Sequence, residues 1–597
     1  MACGEGTSGQ HGHGDAVRKD LATSHLCAGA YFDPEFRGIL LRQVYNDTTR
    51  MIAPSYRFDL VSVVHQAWRA WALETMQHVG VLTAFAVGLR VNLPAVVTVI
   101  CWLALWHQSR ALAKTALAVL PLHAKAAADR WLQRTRWRSE SDELRQQTRL
   151  LRLNGVGCVV LALTPPLVAG ISHIPFDELI DAAALLAVPV IVFVAGRGMA
   201  EQLCLNHVYG VREVDQLRPR RLSRRQQTID DQQRHPYVVY RRPSPPKEES
   251  DQDEFSLKLP DIDLIDEGES PFVGSGELVH RWLPPLTVQL LCPNPESEAD
   301  RHIPMRDRER SAPSFEAHEL VEHLREAMRP LSDDHDPKGL RGFFMNDRLY
   351  VAEADVQPFS EWLREPPDEH HINGVIDNPY GDVHHFLEIG ASATGELVTT
   401  VFLRVTVKGR ALSLDFAACA LTRTPTEYHR LDGYGETGVI AVLRSTLRRF
   451  CNMPAEVAGI GRLAEAPVLL VNAVRSRKNR MLRPRRGMAI GACLSVRELK
   501  STPWKYAQLD KVIIHDHVKL IEQRLLTAVE DFLSKRGIDT SAFKKKALSI
   551  INTGVLNMGG RTEINQSAVG TNSQVRADVR DDPGGASQQP PALDGVQ

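Results

Sequence analysis

The chain carries 22 histidines, and their spacing is the first place to look for chemistry. His318-Glu-Leu-Val-Glu-His323 approaches a zinc-protease signature and misses it. H-E-x-x-H sets its two ligands at i and i+4 on one helical face, whereas histidines five apart lie about 140° round a helix. His370 and His371, in Asp368-Glu-His-His371, and His384 and His385, in Asp382-Val-His-His385, are weak metal candidates; converging, they would make a hard or borderline site. Surface histidine is the plainer reading of each pair. His515-Asp-His517 opens an amphipathic helix on which alternate residues diverge. His11-Gly-His13 lies in a Gly/Ser/His-rich start that reads as a tail. No P-loop and no G-x-S-x-G elbow is present, and Gly459-Ile-Gly461 lacks the preceding strand of a dinucleotide turn. The nine cysteines are far apart, with no C-x-x-C pair. That excludes a zinc ribbon, a thioredoxin-type motif and a disulfide scaffold, and it fits a reducing compartment. No cofactor is implied and no catalytic residue is identified.

A stronger constellation is electrostatic. Arg475, Arg477, Lys478, Arg480, Arg483, Arg485 and Arg486 place seven cations within twelve residues. They follow the apolar run Pro467-Val-Leu-Leu-Val471. Near a membrane each such cation contributes about 1 kcal/mol toward anionic lipid. No aromatic residue interleaves to stack bases, so specific nucleic-acid recognition is not expected. Lipid headgroups or an acidic protein partner are the ligands these charges fit, and a solvated loop is the plainer reading beside them.

The elements that would position these residues begin with long apolar stretches. His78–Trp106 is apolar apart from Arg90 and Asn92, Asn154–Ser172 has no charge, and Leu179–Ala195 has only Asp181. A hydrocarbon core about 30 Å thick takes roughly 20 apolar residues of helix. The 107–153 segment holds ten Lys and Arg, the turn His173–Glu178 none, and arginines recur after 197. The positive-inside rule therefore makes the last two stretches a hairpin with cytoplasmic ends. A charge at mid-membrane costs at least about 2.5–3.5 kcal/mol. Arg90 and Asn92 thus belong at the turn of a tight or re-entrant hairpin. Four passages with both termini inside follow; three would put residues 1–77 outside.

Outside the membrane, residues 1–27 read as disordered and 28–77 as a cytoplasmic preface with a helical run from Leu60 to Leu73. The transmembrane region spans 78–197, with the basic, largely helical loop 107–153 on the anionic leaflet. A charged linker at 211–270 turns from basic to acidic, ten carboxylates lying between Glu248 and Glu269. Residues 271–537 read as a cytoplasmic α+β domain. Ser314 caps a helix with apolar Leu320, Val321, Leu324 and Met328. Val401 to Phe416 alternates around Lys408-Gly-Arg410 as a hairpin with one buried face. Ile514, Val518, Ile521, Leu525, Val529 and Phe532 stripe a closing helix. Residues 548–597 form a low-complexity tail whose Asn/Gly/β-branched segments could self-associate through side-chain ladders.

Val383-His-His-Phe-Leu-Glu-Ile389, Gly395–Arg410, Tyr31-Phe-Asp-Pro-Glu-Phe36 and Ala53-Pro-Ser-Tyr-Arg-Phe-Asp59 together resemble uncharacterised actinobacterial membrane proteins. The resemblance covers the preface, the spans and much of the α+β region. It implies a multi-pass membrane protein and brings no activity. The fold class expected is thus a helical transmembrane region of three to four spans, a cytoplasmic α+β domain and disordered termini. The function expected is a non-enzymatic scaffold, sensor or regulator of the plasma membrane with an unknown protein partner. The alternative is a membrane-anchored metal-dependent hydrolase using the four paired histidines.

Overall fold

A computed structural model of the chain describes residues 21–131, 137–210, 214–240, 270–293, 308, 314–333, 339–356, 366–433, 436–478, 490–492 and 495–553. It opens with α1 (Leu21–Phe32) and α2 (Pro34–Ile39), the latter continuing into a π-helical turn, Leu40–Tyr45. Asp33 starts α2 because its carboxylate accepts from the Glu35 and Phe36 amides at 3.0 Å, with Pro34 preset at the first position. Residues 21–27, read as part of a disordered start, are therefore helical, and Ala22, His25, Leu26 and Cys27 are buried. The Gly/Ser bias that suggested disorder ends before them.

Asp59 caps α3 (Leu60–Val91), accepting from the Ser62 amide at 3.1 Å. The first half of α3 is interior: Leu60, Val61, Val64 and Ala67 join Leu26, Phe36, Leu40 and Leu41 in one core. Its second half exposes Leu82, Val87, Leu89 and Val91. The helix breaks at a single extended residue, Asn92, whose Oδ1 accepts from the Ala95 amide at 3.0 Å and starts α4 (Leu93–Trp131). Arg90 thus lies in the last turn of α3 and Asn92 at the break, where the sequence places a turn. Next come α5 (Trp137–Ser172) and α6 (Phe176–Gly210), joined at His173–Pro175. The basic 107–153 segment is helical on both sides of 132–136, as extensions of α4 and α5.

Three polar residues of the bundle meet the same later segment: His78 at Gly459, Arg110 at Cys451 and Asn452, and Arg197 at Glu456. On α3 and α6, Gly80 lies against Phe193 and Gly88 against Leu186, an antiparallel pairing. The turns at Asn92 and His173 therefore lie at one end of the bundle and this contact at the other.

The 211–270 stretch is not a linker throughout. It contains α7 (Arg224–Gln233), opened by a Ser223/Gln226 capping box, and β1 (Tyr237–Tyr240). The fully buried Arg225 donates to the carbonyls of Val44, Tyr45 and Asp47, ending the π-helical turn. After 270 follow β2 (Glu277–Arg281), β3 (Leu286–Gln289), α8 (Ala317–Met328), β4 (Phe344–Ala352), α9 (Glu369–Asp377), β5 (Val383–Ser392), β6 (Val398–Lys408) and β7 (Ala411–Leu421). The sheet order is β1-β4-β5-β6-β7-β2, with β3 also on β7; only β1–β4 is parallel. The expected hairpin is present, Lys408 pairing Ala411 across Gly409 (φ +59°). Both faces of β6 are buried, not one: α8 and the later helix Asp510–Lys535 cover one side, and Tyr56, Phe272, Tyr350 and Phe386 surround Phe402 on the other. Glu316, not Ser314, is the N-cap of α8, in a capping box with Glu319.

The chain then returns to the bundle as α10 (Val439–Cys451), α11 (Met453–Ala458) and α12 (Ala466–Lys478), before α13 (Val496–Leu499) and α14 (Asp510–Lys535). Ile514, Val518, Ile521, Leu525, Val529 and Phe532 of α14 are all buried. A separate compact unit begins at Ser541 and contains α15 (Ser541–Thr553), which extends past the expected start of the tail at 548. Among the described residues, five segments are long and apolar enough to cross a membrane: Leu60–Val91, Leu93–Pro121, Arg145–Ser172, Phe176–Gly210 and Met453–Arg477. The fifth exceeds the three or four expected. Its apolar run in the sequence is only five residues long, and α11 and a 3-10 segment lengthen it.

Candidate functional site

The sheet and the N-terminal helices meet at a closed ring of two histidines and two carboxylates. His25 comes from α1, Glu396 from the β5–β6 connection, and His429 and Asp432 from a 3-10 turn after β7, Tyr428–Asp432. The Nδ1 of His25 lies 2.6 Å from Glu396 Oε1, and its Nε2 lies 3.0 Å from Asp432 Oδ2. His429 repeats the pattern, with Nε2 3.3 Å from Glu396 Oε2 and Nδ1 3.3 Å from Asp432 Oδ2. The two imidazole centroids are 4.0 Å apart. The Thr424 hydroxyl donates to Glu396 at 2.7 Å and lies 3.0 Å from His429 Nε2.

His25 and Glu396 are buried while His429 is half-buried. Burial alone would lower the pKa of His25, but the hydrogen bonds and charges of Glu396 and Asp432 raise it above the ordinary histidine value. Burial raises Glu396, but the hydrogen bonds and charges of His25, Thr424 and His429 together outweigh it and hold the carboxyl below its usual range. His429 and Thr424 open onto a cleft of about 460 Å³ that Thr426, Tyr506 and Asp510 also line. A smaller cavity of about 280 Å³ lies between Val44, Ile52, Phe58 and Val496, away from these histidines.

A second charged assembly lies at the base of the bundle. Glu74 on α3 pairs with Arg37 of α2 and, at 2.7 Å, with Arg462. Arg197 on α6 pairs with Glu201 at 2.7 Å and with Glu456 of α11 at 3.1 Å. Arg449 of α10 closes the network on Glu201 at 2.5 Å and on Glu456. Arg37, Glu74, Arg197 and Glu201 are all buried. A buried charge is tolerated only when paired, so these four fix how α2, α10 and α11 sit on α3 and α6.

The four paired histidines singled out in the sequence do not converge, and His11 and His13 lie outside the described residues. His384 and His385 are neighbours on β5 and point to opposite sheet faces; His385 Nε2 lies 2.9 Å from Asp347 Oδ1. His371 meets the Tyr237 hydroxyl at 2.7 Å, and His370 is exposed on α9. His318 pairs with Asp377 at 2.6 Å and His323 with Asp531 at 3.4 Å, so that near-motif also diverges. His318 nevertheless forms a second, more exposed cluster with Glu316 and Asp377. Of the seven cations, Arg475 and Arg477 are exposed on the last turns of α12 and Lys478 ends it. Arg480, Arg483, Arg485 and Arg486 lie outside the described residues, as do the acidic stretch 248–269 and the tail from 554. The four residues of the histidine ring had no motif to mark them.

Residues 285–565, just under half of the chain, match the family model of the AbeC-like domain. The match runs from β3 through α15 and so includes three of the four ring residues, all but His25. No curated protein and no solved structure matches the chain.

Proposed function

We propose that the protein is a non-enzymatic scaffold or regulator integral to the plasma membrane, with its α+β part on the cytoplasmic face. The buried ionic junction carries this reading. A domain merely tethered by a linker needs no such contact, whereas Arg197, Glu201, Arg449 and Glu456 tie the chain beyond the sheet to the middle of α6. A shift of α6 in the membrane is then transmitted through α10 and α11 to the 3-10 turn and β7.

The hairpins α3–α4 and α5–α6 supply four passages in this reading. Their exposed residues, among them Leu82, Val87, Val156, Leu163, Leu167, Leu185 and Val192, are those a lipid environment takes up. Their turns share one side, and the Lys/Arg-rich extensions of α4 and α5 lie on the other, which the positive-inside rule makes cytoplasmic. The fifth apolar segment does not cross. α12 packs on the polar α7, and the Asn46 amide donates to the Leu469 carbonyl at 3.2 Å. It exposes Val468, Leu470, Val471 and Val474 beside Arg475 and Arg477, the pattern of a helix lying on an anionic surface.

Hydrogen exchange of the full chain in nanodiscs tests the coupling. Anionic lipid should increase protection in α10–α12 and in β6–β7 relative to neutral lipid. Arg449→Gln should abolish the β6–β7 response while leaving α12 protected. Strands indifferent to lipid in the unmodified chain would contradict the proposal.

A further inference from the structure

We infer that His25, Glu396 and His429 hold a divalent transition-metal ion, with Asp432 orienting both imidazoles. The geometry separates the roles. One nitrogen of each ring faces Glu396: Nδ1 of His25 and Nε2 of His429. The other nitrogen of each ring faces Asp432: Nε2 of His25 and Nδ1 of His429. One donor atom from each of His25, Glu396 and His429 lies within 4.8 Å of the others. Ligand atoms about 2.0–2.2 Å from a common zinc ion stand at such separations.

A metal-bound histidine donates its outer N–H to a carboxylate, which fixes tautomer and ring orientation. Asp432 does this for both rings at once. Neutral imidazoles have one N–H each. With both outer hydrogens on Asp432, the lone pairs of the inner nitrogens and Glu396 face a common point, and an ion there takes the place of the hydrogens that join His25 to Glu396 at 2.6 Å and His429 Nε2 to the Thr424 carbonyl at 3.2 Å. Two neutral histidines with two carboxylates leave −2 for a divalent ion to balance. Two histidines and one carboxylate leave a zinc-class ion one open position. His429 and Thr424 face the 460 Å³ cleft, which supplies the entry path. The ion would join α1 to the β5–β6 connection and the 3-10 turn, at a place distinct from the four paired histidines.

The test is zinc retention by the full chain in detergent after chelation, repletion with Zn²⁺ and gel filtration. The readout is the difference between the unmodified chain and single variants, so that sites on His11, His13 or His318 cancel. Unmodified protein should retain one more zinc per chain than His429→Ala, and Co²⁺ should give a visible absorption band that His429→Ala lacks. His318→Ala should retain the unmodified content. Asp432→Asn should keep the stoichiometry and weaken affinity about 10–100-fold, as loss of an outer-shell partner does. His429 is half-buried, and equal melting of His429→Ala and unmodified protein in EDTA shows that the variant folds. Should it melt early, Glu396→Gln and the cobalt band decide. Equal zinc in unmodified, His429→Ala and Glu396→Gln protein, or no cobalt band in unmodified protein, overturns the inference.

Discussion

The ring of Tyr428 lies so close to the backbone of Gly29 that a Cβ there would overlap its Cε2, Cδ2 and Cζ atoms. Tyr428 is buried, and its hydroxyl donates to Asp33 at 3.0 Å, so the ring cannot swing aside. Gly29 stands one helical turn beyond His25, and Tyr428 directly precedes His429. The contact therefore sets the distance between the two histidines.

Gly29→Ala should destabilise the protein by about 1–3 kcal/mol, the cost of overpacking a filled interior, although alanine is the better helix former. Thermal unfolding in detergent checks this. A melting temperature equal to or above that of the unmodified chain would show that α1 and the 3-10 turn are not in this contact.

At the base of the bundle, Arg449→Met removes one of the two arginines that pair with both Glu201 and Glu456, leaving Arg197 alone. Leaving the buried Glu201 and the half-buried Glu456 short of a cation should cost up to about 3–5 kcal/mol. Adding Glu201→Gln to Arg449→Met should recover part of that loss, because the stranded charge goes too. Additive losses in a double-mutant cycle would mean that the two residues do not interact.

Glu498 on α13 accepts from the Gly274 amide at 3.0 Å, yet burial and the nearby charge of Glu277 push its pKa up to about 7. The folded state then holds a proton that the unfolded chain releases near pH 4.5. Stability from this group is highest below pH 4.5 and falls as pH rises toward 7, by about 3 kcal/mol in all. Glu498→Gln should remove that slope and raise the melting temperature at pH 8 while changing little at pH 4.5. A variant that melts below the unmodified chain at pH 8 would show that the ionised carboxylate is the stabilising form.

Local patterns were legible in the sequence. The β6–β7 hairpin, the apolar stripes of α8 and α14 and the break at Asn92 each follow from spacing within a few residues. Burial on both faces of β6 was not, because it depends on Tyr56 and Phe272 arriving from elsewhere in the chain. β1 has only four residues inside an Arg/Gln-rich stretch and is held by β4, so composition hid it. Arg37, Arg197 and Arg225 look like ordinary surface charges, and only their partners at Glu74, at Glu201 and at the Val44–Asp47 carbonyls make them interior. The histidine ring was the least legible feature. His25, Glu396 and the His429/Asp432 pair come from three separate segments, and the adjacent histidines that drew attention are splayed by the alternation of a strand.

The placement of the two hairpins is tested most directly by topology reporters inserted after residues 91 and 175 and fused after 597. Both insertions should report the side opposite the cytoplasm, and the fusion at 597 the cytoplasm. Reporters at 175 and 597 on one side, or at 91 and 175 on opposite sides, would contradict the four-passage bundle and the coupling built on it.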